Sequence, residues 1–191
     1  MTAFKDVLYC MWQSSKTDED APETCVMYSK STDEGVTWTK PELLAAATDS
    51  SYCTSGGWIG TKDTLTAFIN VWPKDMQPIG GYTYYIYSTD GKTWSEPQPV
   101  RMADGRAMNG VMEQDPYLMA DGRIVGAAHF QPGLHVVPIY TDDPTGHSGW
   151  HRGHMTVHDR GKQSQELEPS LYQQRDGTLT MVLIEDRKSV V

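Results

Sequence analysis

The stretch Ser31–Trp38 reads STDEGVTW, and a version one residue shorter, STDGKTW, occupies Ser88–Trp94. A third, more divergent copy spans Thr141–Trp150 and reads TDDPTGHSGW. The final tryptophans stand at positions 38, 94 and 150, so both intervals are 56 residues. Equal spacing of three similar turns in a chain of 191 residues indicates an internal structural repeat.

Strand-like segments surround each copy in the same order. Aromatic, β-branched and other apolar residues dominate the segment before each turn and the segment before that one. These segments are residues 7–12, 25–29, 65–69, 82–87, 124–128, 135–140 and 179–183. Asp-Gly pairs at 121–122 and 176–177 introduce two of them and are typical of hairpins. The best helical stretch, 43–47, is tightly bounded by Pro41 and Thr48, so the pattern predicts an all-β chain.

The length of the repeat indicates the architecture. A unit of about four strands in roughly 50 residues is typical of β-propeller blades. The units are predicted at residues 1–50, 51–106, 107–160 and 161–185, or about three and a half four-stranded antiparallel blades. Propellers close with roughly four to eight blades, so we expect this chain to supply a partial ring.

The octet at Ser31–Trp38 resembles the Asp box of sialidases and related six-bladed propellers, and it matches that motif at every position. Ser88–Trp94 resembles a common shortened form, and the similarity in spacing extends over nearly the whole chain. The resemblance implies a partial six-bladed β-propeller of the sialidase (neuraminidase) type, with the boxes at the outer rim. Asp33 and Asp90 are therefore expected to be structural, because an aspartate accepts hydrogen bonds from the amides of its own turn.

The last six residues, Asp186–Val191, are expected to be a non-native tail. They back-translate to a codon string that matches a common sequencing adapter, and the preceding strand stops in mid-blade. Arg187 lies near the place where sialidase-like enzymes carry a substrate-clamping arginine. Because it belongs to this tail, Arg187 is not counted among the site residues.

Charge and hydropathy disfavour several classes of partner. The net charge of −9 disfavours nucleic acid and anionic membrane surfaces. No apolar run approaches the roughly 20 residues needed to cross a bilayer, and no signal peptide follows Met1. Localisation is therefore unknown from the residues themselves, while the family resemblance implies a secreted or periplasmic protein.

The cysteines do not suggest a disulfide framework or a metal site. Cys10, Cys25 and Cys53 form an odd and sparse set without metal-like spacing. Buried thiols in strands are expected, and a bridge between Cys10 and Cys25 is an alternative that is not favoured.

Glu168 is the first candidate for chemistry. The first strand of each propeller blade lines the central channel, and the run 166–170 occupies that position in the last unit. The segment from Glu168 to Leu179 resembles the part of sialidases whose glutamate pairs with a nucleophilic tyrosine. Such a tyrosine, encoded downstream, avoids the repulsion that a carboxylate nucleophile meets at a sugar bearing a carboxylate. The alternative is that Glu168 only forms hydrogen bonds within the channel wall.

Equivalent positions in the two preceding units supply candidates for substrate binding. Glu113, Gln114 and Asp115 stand where an apolar strand is the default, and polar groups there need partners or a function. Trp58 occupies the matching place one unit earlier. It is predicted to stack on a sugar face, with packing of the inner strand as an equal alternative.

Histidines provide one further candidate. His129 ends a strand near the predicted channel mouth, where a neutral imidazole can act as a base or contact substrate. Related propellers that cleave acidic polysaccharides by elimination use a histidine in this way. His147, His151, His154 and His158 have intervals of 4, 3 and 4 residues, which align on a helix. Neighbouring glycines oppose a helix, so no metal site is predicted.

The function implied by the resemblance is that of a retaining exo-sialidase-like glycoside hydrolase. It needs no cofactor and acts on a glycan or oligosaccharide. Its general acid, its tyrosine and most of its arginine clamp lie outside these 191 residues, so the chain alone is expected to be inactive. Two alternatives stay open: a polysaccharide lyase on the same scaffold with His129 as base, and a glycan-binding propeller without catalysis.

Overall fold

The computed structural model describes residues 1–18, 21–154 and 166–185. Fifteen β-strands and no helix occur in these ranges, which confirms the all-β prediction. None of the described segments forms a helix able to cross a membrane.

The strands form three sheets and a hairpin. The first sheet contains β1 (Thr2–Phe4), β2 (Val7–Ser14), β3 (Cys25–Ser31) and β4 (Glu42–Ala45). The second contains β5 (Ser51–Gly60), β6 (Leu65–Pro73), β7 (Tyr82–Ser88) and β8 (Gln98–Pro99). The third contains β9 (Gly110–Met112), β10 (Tyr117–Leu118), β11 (Ile124–Phe130), β12 (His135–Thr141) and β13 (His151–Arg152). The hairpin consists of β14 (Glu166–Gln173) and β15 (Leu179–Glu185).

Each sheet is an antiparallel meander in chain order. The first two have four strands, as expected for repeated four-stranded units. In the third sheet β9 and β10 both pair with β11, so its first strand is split in two. The stretch 43–47, the best helical pattern in the sequence, falls mostly in β4 because β3 offers its edge for pairing.

Apolar side chains fill the spaces between neighbouring sheets. Trp58 of β5 lies between the first two sheets, with its ring centroid 6.0 Å from that of Tyr9 and 5.8 Å from that of Trp94. A second core joins the second and third sheets, where Phe68 meets Trp150 edge to face at 6.4 Å. Sheets with apolar residues on both faces can stack side by side.

The boundary between the third sheet and the hairpin is packed differently. An apolar cavity of about 410 Å³ lies there. Its wall includes Val125 and Ile139 from the third sheet and Leu171 and Met181 from the hairpin. Tyr117 adds one polar link by donating its hydroxyl to Gln173 at 3.3 Å.

The three repeated turns share one pattern of hydrogen bonds. Asp33 accepts from both the hydroxyl and the amide of Thr37, and Asp90 accepts from the same two groups of Thr93. Asp143 accepts in the same way from Thr145 and from Ser148. These donors stabilise the ionised carboxylates, and the bond from the Thr37 hydroxyl is the main reason that the pKa of Asp33 is lowered to about 2.

Buried polar side chains hold the second and third sheets together. The first strands of successive sheets contact one another, β1 with β5 and β5 with β9. The carbonyl oxygen of the Asn70 side chain accepts from the Met112 amide at 3.1 Å, and its NH₂ group donates to the Met112 carbonyl. The Thr83 hydroxyl donates to the Gly110 carbonyl at 3.0 Å. These bonds fix β9, and with it the residues that follow β9.

Candidate functional site

The first strand of the third sheet breaks at residues 113–116, where three of the predicted site residues stand. Glu113 is half-buried, whereas Gln114 and Asp115 are exposed. Oδ1 of Asp115 accepts a 2.8 Å hydrogen bond from the amide of Trp58. Its other oxygen contacts the ammonium group of Met1. The break is thus closed by a side-chain bond to the neighbouring sheet rather than by strand pairing.

Gly57 permits this close approach of two sheets. It sits at an irregularity of β5 with a φ of 101°, a conformation that side chains rarely adopt. A Cβ atom at this position would lie 2.7 Å from the Gln114 carbonyl oxygen and from the Asp115 Cα. The polar break therefore requires glycine opposite it.

Glu113 meets His129 behind the break. Nε2 of His129 lies 2.9 Å from Oε2 of Glu113, and Nδ1 lies 3.2 Å from the Leu134 carbonyl oxygen. The His129 side chain is only 2% exposed, and that of Glu113 is 32% exposed. The Nε2 to Oε2 contact is short but poorly aligned, so neither atom completes a hydrogen bond.

Trp58 presents no ring face to a ligand in this structure. It is 1% exposed and packs in the core between the first two sheets. At the break, Trp58 contributes its backbone amide, which donates a hydrogen bond to Asp115. The packing alternative accounts for this tryptophan, because a sugar cannot stack on a ring enclosed by other aromatic rings.

Glu168 lies on β14, the first strand of the hairpin. A bulge between Leu167 and Ser170 interrupts the pairing of β14 with β15, and Glu168 has a φ of 51° within it. Its side chain is exposed while the next residue, Pro169, is buried. No hydrogen bond or ion pair joins Glu168 to another described residue.

The structure thus brings together Trp58, Glu113, Asp115 and His129 at the boundary of two sheets. Among the described residues, no hydrogen bond or ion pair joins Gln114 or Glu168 to this group. Glu113 and Glu168 nevertheless occupy the first strands of neighbouring sheets, and both lie where the regular pairing of that strand breaks.

Two of the other histidines, His147 and His151, stack on tyrosine rings, whereas His135 and His154 are exposed. His147 stacks on Tyr85 at 3.8 Å and shares a hydrogen bond with Thr66; burial lowers its pKa. His151 stacks on Tyr140 at 5.0 Å. His158 lies outside the described residues. Within those residues no three His, Cys, Asp or Glu side chains gather as a metal-binding group.

Two polar residues of the boundary escaped the sequence reasoning. Asn70 and Thr83 are fully buried and bind the backbone of β9. Asn70 interrupts the apolar run Leu65–Trp72, and a lone amide in a buried strand is a usable signal because it needs partners. Thr83 gives no such signal, since threonine is common in strands.

Comparison with known proteins supplies a family. The sequence model of the BNR repeat-like domain matches residues 6–190, nearly the whole chain. Among curated protein sequences, none matches with significance.

Solved structures share the fold at low sequence identity. A protein of unknown function from Dyadobacter fermentans superimposes with a TM-score of 0.71 at 19% identity, covering 96% of this chain and 60% of that one. The Bombyx mori GH32 β-fructofuranosidase gives 0.64 at 15% identity, with 95% and 39% coverage. Trypanosoma rangeli sialidase gives 0.66 at 14% identity, with 96% and 33% coverage. The chain therefore spans between about a third and three fifths of these proteins, and at such identities the likeness shows the fold alone.

Proposed function

Because the chain belongs to the BNR repeat-like domain family and has a glycosidase-like β-propeller scaffold, we propose that it is part of a sialidase-like glycoside hydrolase. The whole enzyme removes terminal sugars of the sialic-acid type from glycans with retention, and it needs no cofactor. In this proposal residues 1–185 supply part of a six-bladed ring, and residues 186–191 are a non-native tail.

One observation carries the proposal: Glu168 is exposed at a bulge of a first strand with a φ of 51°. A non-glycine residue in this conformation costs about 1–3 kcal/mol, and such residues cluster at active sites. Strand β14 therefore contains a strained residue, Glu168, whose carboxylate is exposed to solvent. The exposed Gln114 and Asp115, and the half-buried Glu113, add substrate-binding groups on the neighbouring first strand.

Glu168 acts as a base in this mechanism. It takes the proton of a tyrosine hydroxyl from another part of the enzyme while the tyrosine oxygen attacks the anomeric carbon. A general acid, also from another part, protonates the departing glycosidic oxygen. Water then attacks the anomeric carbon of the tyrosine-linked sugar and gives its proton to the deprotonated general acid. Glu168 returns its proton to the tyrosine oxygen as that oxygen leaves. A neutral tyrosine avoids repulsion from the sugar carboxylate.

The substitution Glu168→Gln in the full-length enzyme tests this role. We expect it to abolish turnover of a fluorogenic sialoside while binding of the sialic-acid analogue DANA persists. Glu34→Gln is the matched control, because Glu34 is also exposed with a φ of 59° but lies in a repeated turn. Full activity of Glu168→Gln would remove the proposal. Binding without turnover by the unmodified enzyme would indicate a lectin, and turnover by the 191-residue chain alone would contradict a site shared among blades.

A polysaccharide lyase is the second candidate, favoured by the short contact between His129 and Glu113. Both ring nitrogens of the buried His129 face protein atoms, so in such a lyase the half-buried carboxylate of Glu113 would be the base that takes the proton next to a sugar carboxylate. The products separate the two reactions, since elimination leaves an unsaturated sugar that absorbs in the ultraviolet and hydrolysis does not.

A further inference from the structure

The contact between Glu113 and His129 fixes where one proton must be. A carbonyl oxygen only accepts, so the 3.2 Å contact with Leu134 requires a hydrogen on Nδ1 of His129. Nε2 then faces Oε2 of Glu113 at 2.9 Å. Two lone pairs at that distance repel, so one of the two atoms carries a proton that faces the other, although the angle of the contact does not complete a hydrogen bond. Glu113 and His129 form a single unit that shares one proton.

This unit is poorly suited to a purely structural role. Both Nε2 and Oε2 are buried, yet their alignment completes no hydrogen bond. A buried polar atom without an aligned partner destabilises the fold, and an apolar pair of similar size would avoid that cost. Hydrogen bonds at ligand sites are often misaligned in the free protein and tighten when the ligand binds.

The two members differ in their access to solvent. His129 is 2% exposed and both of its ring nitrogens face protein atoms, so neither nitrogen is available to contact a ligand directly. Glu113 is 32% exposed although Oε2 is buried, so the exposed part is the rest of its side chain, where Oε1 lies. Another charged group nearby is Asp115, two residues along the chain from Glu113.

We propose that His129 is a positioning residue that fixes Glu113, so that Oε1 accepts hydrogen bonds from hydroxyl groups of a bound sugar. A carboxylate is a strong acceptor for hydroxyl groups and repels anions, so Glu113 contacts the uncharged, hydroxyl-bearing side of the sugar. The inference rests on the proposed function only in that the ligand is a sugar.

Nuclear magnetic resonance of His129 tests the proton-sharing unit without any activity measurement. We expect the unmodified protein to show the Nδ1 proton and a second, slowly exchanging proton between His129 and Glu113. In Glu113→Gln the Nδ1 proton remains and the second signal disappears, because a glutamine amide donates its own hydrogen to Nε2. A proton on Nε2 that persists unchanged in Glu113→Gln would overturn the unit.

Sugar affinity tests the positioning role in the full-length enzyme, with DANA, galactose and glucuronate as probes. His129→Leu and Glu113→Gln should each weaken binding about tenfold, and the double variant should be no weaker, since the residues act together. His129→Gln, which can still donate to Glu113, should retain more affinity than His129→Leu. His135→Asn is the matched control, because His135 is exposed at the start of β12.

The outcomes separate this inference from the proposed function. Binding of galactose or glucuronate but not DANA, with loss in both variants, supports the positioning role and removes the sialidase proposal. Equal affinity of His129→Leu and the unmodified enzyme overturns the positioning role. So does the absence of binding by every probe. The melting temperature of each variant shows whether a loss of sugar affinity reflects unfolding. If affinity falls only in variants that are unfolded, the positioning role of His129 is also overturned.

Discussion

Asp115 of the third sheet accepts a 2.8 Å hydrogen bond from the backbone amide of Trp58 in the second sheet. The side chain thereby replaces the strand pairing that is lost between β9 and β10. We expect Asp115→Ala to lower the free energy of unfolding by about 1 kcal/mol, because the Trp58 amide loses its acceptor. Urea denaturation measures the change. Gln114→Ala serves as the control, with an expected change within about 0.5 kcal/mol; equal effects would show that the Asp115 bond contributes nothing.

Gly57 faces this same break, and its substitution separates two costs. Gly57→Ala adds left-handed strain and a Cβ atom 2.7 Å from the Gln114 carbonyl oxygen. Gly105→Ala adds strain of the same kind at a φ of 82°, with no atom within 4 Å. We expect Gly105→Ala to cost about 1 kcal/mol and Gly57→Ala at least about 2 kcal/mol more. If thermal or urea denaturation shows the same loss of stability for Gly57→Ala and Gly105→Ala, the two sheets can move apart at residue 57 without an energetic cost.

The first repeated turn predicts a dependence of stability on pH. The pKa of Asp33 is lowered to about 2 from an ordinary value of 3.8, chiefly by the hydroxyl of Thr37. A carboxylate with a lowered pKa stabilises the fold when ionised, so its contribution is fully present above pH 3.8 and is lost as the pH falls toward 2. The stability gap between the unmodified protein and Asp33→Asn should therefore narrow over this interval. A gap that stays constant in urea titrations at several pH values would contradict the prediction.

Gly126 offers a stabilising substitution. It lies in β11 beside the apolar cavity, and its φ is not in the left-handed region. A Cβ atom there would meet Pro116, Ile139 and Met112 at 3.6–3.7 Å, which is ordinary contact. Gly126→Ala should raise the free energy of unfolding by about 0.5–1 kcal/mol, because it restricts the unfolded chain and adds contacts. Gly122→Ala, at a φ of 91° in open space, should instead destabilise. A fall in melting temperature for Gly126→Ala would show that the boundary tolerates no added volume.

The repeat in the sequence was sufficient to predict the sheets, because each tryptophan-ended turn joins strands whose alternation is visible in the residues. The prediction that the chain is all-β is confirmed. The pairing of Glu113 with His129 was not visible, because it depends on the register in which β9 opposes β11. The same holds for Asp115, whose partner is a backbone amide 57 residues away.

Trp58 shows why composition alone could not assign a ligand-binding surface. Both faces of each sheet are apolar where sheets stack, so an aromatic residue on a first strand has the same pattern whether it packs or binds. The rings of Tyr9, Tyr28 and Trp94, which surround the Trp58 ring, show that this residue packs in the core.

The hairpin that carries Glu168 is joined to the third sheet through an apolar wall and the hydrogen bond between Tyr117 and Gln173. That apolar wall borders an unfilled space of about 410 Å³, whereas the second and third sheets are joined by hydrogen bonds from the buried side-chain amide of Asn70 and by the exposed carboxylate of Asp115. Hydrogen exchange should therefore report early, independent opening of β14 and β15. In the proposed enzyme, the position of the Glu168 carboxylate would therefore depend on the contacts that neighbouring blades make with this hairpin.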